Sequence, residues 1–254
     1  MKLKHLYIVF PLLCVLSLVA SPALNREKVI TPRHTSSYNS FALLELFTSE
    51  GCSSCPPADR LLAQLGHHNE SVIPLSFHVD YWNRLGWTDK FSSSEYSERQ
   101  KKYASQFGLE SIYTPQLVVN GKYELVGSNR NKAESVIAKA LSENASVKLS
   151  INNFKSGNEK ISFNVSLEGN TGGLKINAAL IERNVVTNVK AGENRGATLT
   201  SVNVVRGYVS KDAKNDLSFE MIIPGKIGEW EIIVYSQQKN DLAITGATVF
   251  QPEH

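Results

Sequence analysis

Pro56 and Pro57 follow Cys55 directly, and two adjacent prolines leave the backbone few choices. Proline lacks an N–H and has a fixed φ, so it is favoured in the first turn of a helix and penalised inside one. The stretch after them, "ADRLLAQLG", places apolar residues at helical spacing and stops at Gly66. The stretch before the cysteines, "FALLELF", is a continuous apolar run of strand length. The sequence therefore predicts strand, Cys52-Ser53-Ser54-Cys55, helix, with Cys52 exposed just ahead of the helix.

The following segments extend this pattern. "SVIPLSFHV" reads as a second strand, followed by the aromatic segment "DYWNRLGW" and a polar helix, "SSSEYSERQKKYASQFG", with serine caps and a closing Gly108. "YTPQLVVNGKYELVG" is a hairpin turning at Asn120-Gly121, with Thr114-Pro115 at its entrance, and "NRNKAESVIAKALSEN" is a last helix. The order β, CxxC, α, β, α, β, β, α predicts an α/β thioredoxin-like domain over residues 41–146, with a helical insertion. From Val147 the chain alternates apolar and polar residues between Gly and Asn turns, which predicts an all-β antiparallel sandwich of about seven strands over 147–254.

Residues 1–23 read as a signal peptide: a basic start with Lys2 and Lys4, an apolar run, and small residues suited to cleavage after Ala20 or Ala23. Residues 24–40 read as a flexible lead-in, and the mature protein is expected in the periplasm or outside the cell. Cleavage removes Cys14, so only Cys52 and Cys55 remain of the three cysteines. A formal charge of +3 without a basic stripe argues against nucleic acid as a partner. No Ser-His-Asp signature, phosphate loop or dinucleotide fingerprint is present, and no cofactor is implied.

A bridge across two intervening residues closes almost no loop, so two lone cysteines at this spacing point to chemistry more than to stapling. The positive end of the helix lowers a thiol pKa, making Cys52 the attacking thiolate and Cys55 the resolving one. Two other readings are a non-catalytic binding or scaffold protein with an inert disulfide, and a copper- or metal-binding module using both cysteines and His78. A structural zinc site would want a second CxxC, which is absent.

The segments "ELFTSEGCSSCPPADRLL", "LSFHVDYWNRLGW", "YTPQLVVNG" and "VKAGENRGATLTSVNVVR" together resemble the bacterial secreted family called domain of unknown function 1223. The resemblance implies a thioredoxin-like N-terminal part, an oxidoreductase-type dithiol at Cys52 and Cys55, and a cis proline at Pro115. With Pro115 cis, the backbone of Thr114 is free to pair with an extended protein substrate.

His78, Asp80, Tyr81, Trp82 and Asn83 end the second strand, where α/β folds place ligands. They are candidates to line a substrate groove, against the plainer reading that Tyr81 and Trp82 cover core and Asp80 caps the next segment. Glu45 and Glu50 lie near the dithiol in sequence and would raise a thiol pKa or act as a base. His67 and His68 read as surface. "AGENRGATLTS" is either a plain connection or a partner-binding loop reaching over the active site, with Arg195 and Arg206 offering charged donors.

Overall fold

The computed structural model describes residues 28–29, 32–157, 159–214, 216–224 and 229–252. The expected signal peptide lies outside them. Short β1 (Lys28–Val29) and β2 (Pro32–Ser37) precede β3 (Ala42–Thr48), α1 (Pro56–His68), β4 (Val72–His78), α2 (Ser94–Gln106), the hairpin β5 (Gln116–Val119) and β6 (Tyr123–Val126), and α3 (Arg130–Leu141). Seven strands follow: β7 (Val147–Ser156), β8 (Lys160–Gly169), β9 (Leu174–Asn188), β10 (Thr198–Asp212), β11 (Leu217–Ile222), β12 (Trp230–Gln238) and β13 (Ile244–Pro252).

These strands do not sort into the two units that the sequence predicts. Nine of them form one mixed sheet in the order β2-β13-β12-β9-β10-β4-β3-β5-β6, and the remaining four form a sheet in the order β1-β7-β8-β11. The expected α/β thioredoxin-like domain with a helical insertion is therefore corrected. The protein is mostly β, its first-half strands are the end of a larger sheet, and α2 is no insertion but a cover for strands from both halves. The physical reason is an unsatisfied edge. β4 pairs with β3 on one side, and its other edge takes up β10 in parallel through Val204 and Ser76. The expected self-contained sandwich is divided for the same reason, with β9, β10, β12 and β13 drawn into the large sheet. Part of the segment read as flexible, Pro32–Ser37, pairs with β13 at its far edge.

Each face of the large sheet is buried by alternating residues. Leu43, Phe47, Leu75, Phe77, Ala179, Ile181, Ile233 and Tyr235 point into one core shared with Tyr96 and Tyr103 of α2. On the opposite face, Ala42, Leu44 and Leu46 pack on α1 and α3, while Ala178, Leu180, Ile232 and Val234 pack on the smaller sheet. Gly66 does not end α1, which runs on to His68; a Cβ there would stand 2.6 Å from Pro74 Cγ, so glycine permits helix and strand to touch.

The large sheet also curls. Four strand spacings separate β12 from β3, roughly 19 Å if the sheet were flat, yet Tyr235 Oη donates to Glu45 Oε1 at 2.9 Å. Glu45 is fully buried and meets Arg99 Nε and Nη2 at 2.9 and 2.7 Å. Tyr103 donates to its other oxygen. Gln237 and Tyr208 take further Arg99 donors at 3.2 and 2.8 Å. The curl also brings the Asn120-Gly121 turn onto the start of β13, where Ile244 N–H donates to Asn120 O at 2.9 Å. Gly121 adopts φ +66 and a Cβ there would strike the Leu242 carbonyl.

Removing Arg99 would strand a buried carboxylate. Arg99→Met is expected to cost about 3–5 kcal/mol in urea unfolding, and adding Glu45→Gln to the same chain should recover part of that loss.

Candidate functional site

The cysteines occupy the turn between β3 and α1. Cys52 N–H donates to Ser49 O at 3.1 Å and Cys55 N–H to Cys52 O at 3.2 Å, so the backbone is already coiling before the helix begins. Cys55 is the N-cap, and Pro56 and Pro57 take the first positions, where no N–H partner is needed. The two sulfurs form a disulfide, with the Cα atoms 5.4 Å apart. Both cysteines are 0% exposed, although Ser53 and Ser54 between them are open to solvent. Ser54 Oγ lies 3.3 Å from Cys52 Sγ.

Two segments close over this turn. The first follows β4. Trp82 stands against Gly51, where a Cβ would come within 3.1 Å of Trp82 Cβ, and its Nε1 donates to Thr114 Oγ1 at 2.8 Å. The Thr114–Pro115 bond is cis. Gly127 links Pro115 to α1, because a Cβ there would meet Ala58 at 3.2 Å and Pro115 at 3.3 Å. Trp87 Nε1 donates to Glu50 Oε2 at 2.8 Å.

The second segment is the β9–β10 connection, the loop that the sequence offers as a cover. Its grip comes from Glu193 and Asn194, not from arginines. Glu193 Oε2 accepts from Ser53 N–H at 3.1 Å, and Asn194 Nδ2 donates to Glu50 O at 2.8 Å and Cys52 O at 2.9 Å. The bonds from Ser53 hold the Glu193 carboxyl below the usual range. Arg195 is exposed, and Arg206 pairs with Glu182.

Beneath the turn lies a buried polar cluster. His78 Nδ1 meets Asp89 Oδ2 at 2.7 Å. The same oxygen accepts from Glu50 N–H, and Asp89 Oδ1 accepts from Phe91 N–H, both at 2.9 Å. Burial pulls the imidazolium down, but the charge and hydrogen bond of Asp89, with Asp59 and Glu50, outweigh it and raise the His78 pKa. Burial pushes Asp89 up, and His78 with the two N–H donors outweighs that, holding its carboxyl low. The opposed shifts favour the charged form of each partner.

Asp59 differs. It sits one turn beyond Cys55, where its N–H donates to Cys55 O at 3.1 Å, and its Oδ2 accepts from Thr48 Oγ1 at 3.3 Å. Asp59 Oδ1 and His78 Nε2 are buried without hydrogen-bond partners. Burial pushes Asp59 up to about 6, against the lowering pull of His78 and Thr48.

The structure therefore gathers Cys52, Cys55, Trp82, Thr114 and Pro115 in one neighbourhood. It places the other expected groove residues elsewhere. His78 is buried under the turn, Asp80 accepts from Ser97 Oγ on α2 at 2.5 Å, and Tyr81 donates to Gln100 at 3.2 Å. Asn83 braces the Asp89 loop by accepting from Asp89 N–H at 3.0 Å. Glu45 belongs to the Arg99 cluster, and His67 and His68 are exposed at the end of α1. The copper arrangement is not assembled: the sulfurs are bonded to each other, His78 Nδ1 is taken by Asp89, and among the described residues no group of three or more His, Cys, Asp or Glu is placed to hold a metal. Sequence reasoning missed Asp59, Trp87, Asp89, Glu193 and Asn194. All but Asp89 lay in stretches that the sequence singles out: Asp59 just after the CxxC, Trp87 in the aromatic segment, and the last two in the run of turn residues.

The profile of the family described as "Protein of unknown function (DUF1223)" matches residues 43–235, from β3 into β12. The chain belongs to this family. The DUF1223 match takes in both the dithiol turn and the loop that covers it. Among solved structures, an Agrobacterium tumefaciens protein determined by X-ray crystallography is similar over 86% of this chain and 100% of its own, with 25% identity and a TM-score of 0.64. HBP35 of Porphyromonas gingivalis is similar over 84% of this chain and 75% of its own, at 15% identity and a TM-score of 0.52, which speaks to the fold alone. No curated protein matches.

Asp59 sets a pH signature. A carboxyl raised from 3.8 to about 6 binds its proton more tightly folded than unfolded, so it subtracts stability as pH rises through that window and the penalty is complete above it. Asp59→Asn is expected to stabilise the protein at pH 8 by up to about 3 kcal/mol in urea unfolding, and by little at pH 4.

Proposed function

We propose that this DUF1223 protein is an exported thiol-disulfide oxidoreductase acting on protein disulfides through Cys52 and Cys55. The observation that carries the reading is the bond itself: a disulfide spanning two residues at the positive end of α1, held in a turn of backbone hydrogen bonds. Such a link closes too short a loop to matter as a staple, and the helix terminus favours the thiolate that the chemistry needs.

In the reduced protein, the Cys52 thiolate attacks one sulfur of a substrate disulfide and the other substrate sulfur leaves as a thiolate. Cys55 then attacks Cys52 Sγ, the second substrate thiolate departs, and the Cys52–Cys55 disulfide forms. Two electrons have passed to the substrate, which ends as two thiols after protonation. The reverse sequence oxidises a substrate dithiol. Asp59, one helical turn beyond Cys55 and carrying an unpartnered oxygen, takes up the proton that Cys55 sheds. Trp82, Thr114 and Pro115 flank the turn as the substrate-binding wall. Export is proposed from the leader read over residues 1–23. Among the described residues, no helix is long and apolar enough to cross a membrane.

One observation favours a second reading, in which the disulfide is inert and the protein is a binding or scaffold module: both cysteines are completely buried. The midpoint potential separates the two, since a structural bridge falls below about −300 mV and working pairs lie above it.

Cys52→Ser is expected to abolish exchange with a disulfide-bonded protein substrate, whereas Cys55→Ser should accumulate the mixed disulfide, visible as a covalent adduct by intact mass. Wild-type turnover in Cys52→Ser would refute the mechanism.

A further inference from the structure

A disulfide that exchanges with another protein must expose a sulfur to in-line attack, and this one has no exposed surface. The β9–β10 connection supplies part of the cover, and its construction is unusual for a permanent lid. Its base is a closed hairpin, with Gly196 N–H donating to Val189 O at 2.8 Å and Val189 N–H to Ala197 O at 2.9 Å. Its tip holds the dithiol turn by side-chain hydrogen bonds: Ser53, through its N–H and its hydroxyl, to Glu193, and Asn194 Nδ2 to the carbonyls of Glu50 and Cys52. No apolar side chain anchors that tip, since Glu193, Asn194 and Arg195 are polar and two of them are exposed. Two glycines in the left-handed region, Gly192 at φ +74 and Gly196 at φ +84, bracket these three residues. Gly192 leans on Trp87, where a Cβ would stand 3.2 Å from Trp87 Cβ, while the Cβ position of Gly196 meets nothing within 4 Å.

The tip also binds a telling set of atoms. Ser53 N–H and the Glu50 and Cys52 carbonyls are main-chain groups on either side of the attacking sulfur. They are what an extended polypeptide would pair with if it lay beside the dithiol. Side chains of the strap fill those places from within the same chain.

We propose that residues Ala191–Gly196 form a strap that closes the Cys52–Cys55 pair, and that the protein substrate opens it by taking over Ser53 N–H and the Glu50 and Cys52 carbonyls. The proposal rests on the exchange activity above and specifies how access to it is controlled. A substrate segment must therefore offer an acceptor to Ser53 and donors to the two carbonyls, and a weak grip there would leave the pair shut.

The test reads access without requiring any protein substrate. The oxidised full chain is treated with excess dithiothreitol, which gives up two electrons and two protons to the disulfide and becomes a cyclic disulfide itself. Free thiols at Cys52 and Cys55 are counted by alkylation and mass against time. Glu193→Ala/Asn194→Ala should be reduced at least about tenfold faster than wild type, the effect of losing these modest hydrogen bonds on an opening equilibrium. Asn194→Asp, which keeps the size but loses both donors, should accelerate reduction in the same direction and serves if the double variant does not fold. Arg195→Ala, on the same strap without a grip on the turn, should match wild type. Equal rates in wild type and both grip variants would overturn the strap. Faster reduction in the grip variants, with exchange that does not depend on Cys52, would uphold the strap and remove the proposed reaction instead.

Discussion

The buried carboxylate of Glu45 sets the terms for the rest of the structure. A fully buried charge on a central strand is tolerable only if it is paired and its remaining lone pairs are filled. Arg99 of α2 supplies the charge, and its guanidinium lies 5.2 to 5.7 Å from the ring centres of Tyr103, Tyr208, Tyr235 and Phe77. Three of those rings bring hydroxyls, and Tyr208 and Tyr235 come from β10 and β12, in the second half of the chain. No flat sheet brings β12 to β3. The polar cluster and the curl therefore require each other, and together they make the two halves a single body.

That single body is what brings a hairpin near residue 193 onto the turn near residue 52. β9 and β10 are 15 residues each, about 50 Å of chain at strand rise. β10 meets β4 at one register pair, and Asn203 beside it lies at φ +49, outside the strand region. β10 also packs along α1, whose N-cap is Cys55. The hairpin tip thus arrives at the dithiol by following the helix that bears it.

Features decided by a few neighbouring residues were readable in the sequence. The strand, CxxC and helix succession follows from Pro56-Pro57 and the apolar spacing around them, and the hairpin from Asn120-Gly121. The sheet order was not readable, because β4 and β10 lie far apart in the chain and alternation marks a strand without naming its neighbour. The site divides in the same way. Cys52, Cys55 and Pro115 announce themselves, whereas Asp89 acquires its role from Glu50, 39 residues away, and Asn194 from Cys52, 142 residues away. Asp59 carried a misleading signal, since an acid in the first turn of a helix normally complements the dipole in solvent. Here that face of α1 packs inward on Thr48, so the same position yields a buried group with a perturbed pKa.

The dithiol turn does not owe its shape to the covalent bond. Ser49 O holds Cys52 N–H, Cys52 O holds Cys55 N–H, and Cys55 O starts the helix through Ala58 and Asp59. Glu50 is tied to Asp89 by its N–H and to Trp87 by its carboxylate. None of these bonds involves a sulfur. A structural disulfide would be expected where the backbone lacks such support; here it spans a turn that has it. The turn thus has hydrogen bonds of its own that do not depend on the disulfide, the condition that the proposed exchange requires of it.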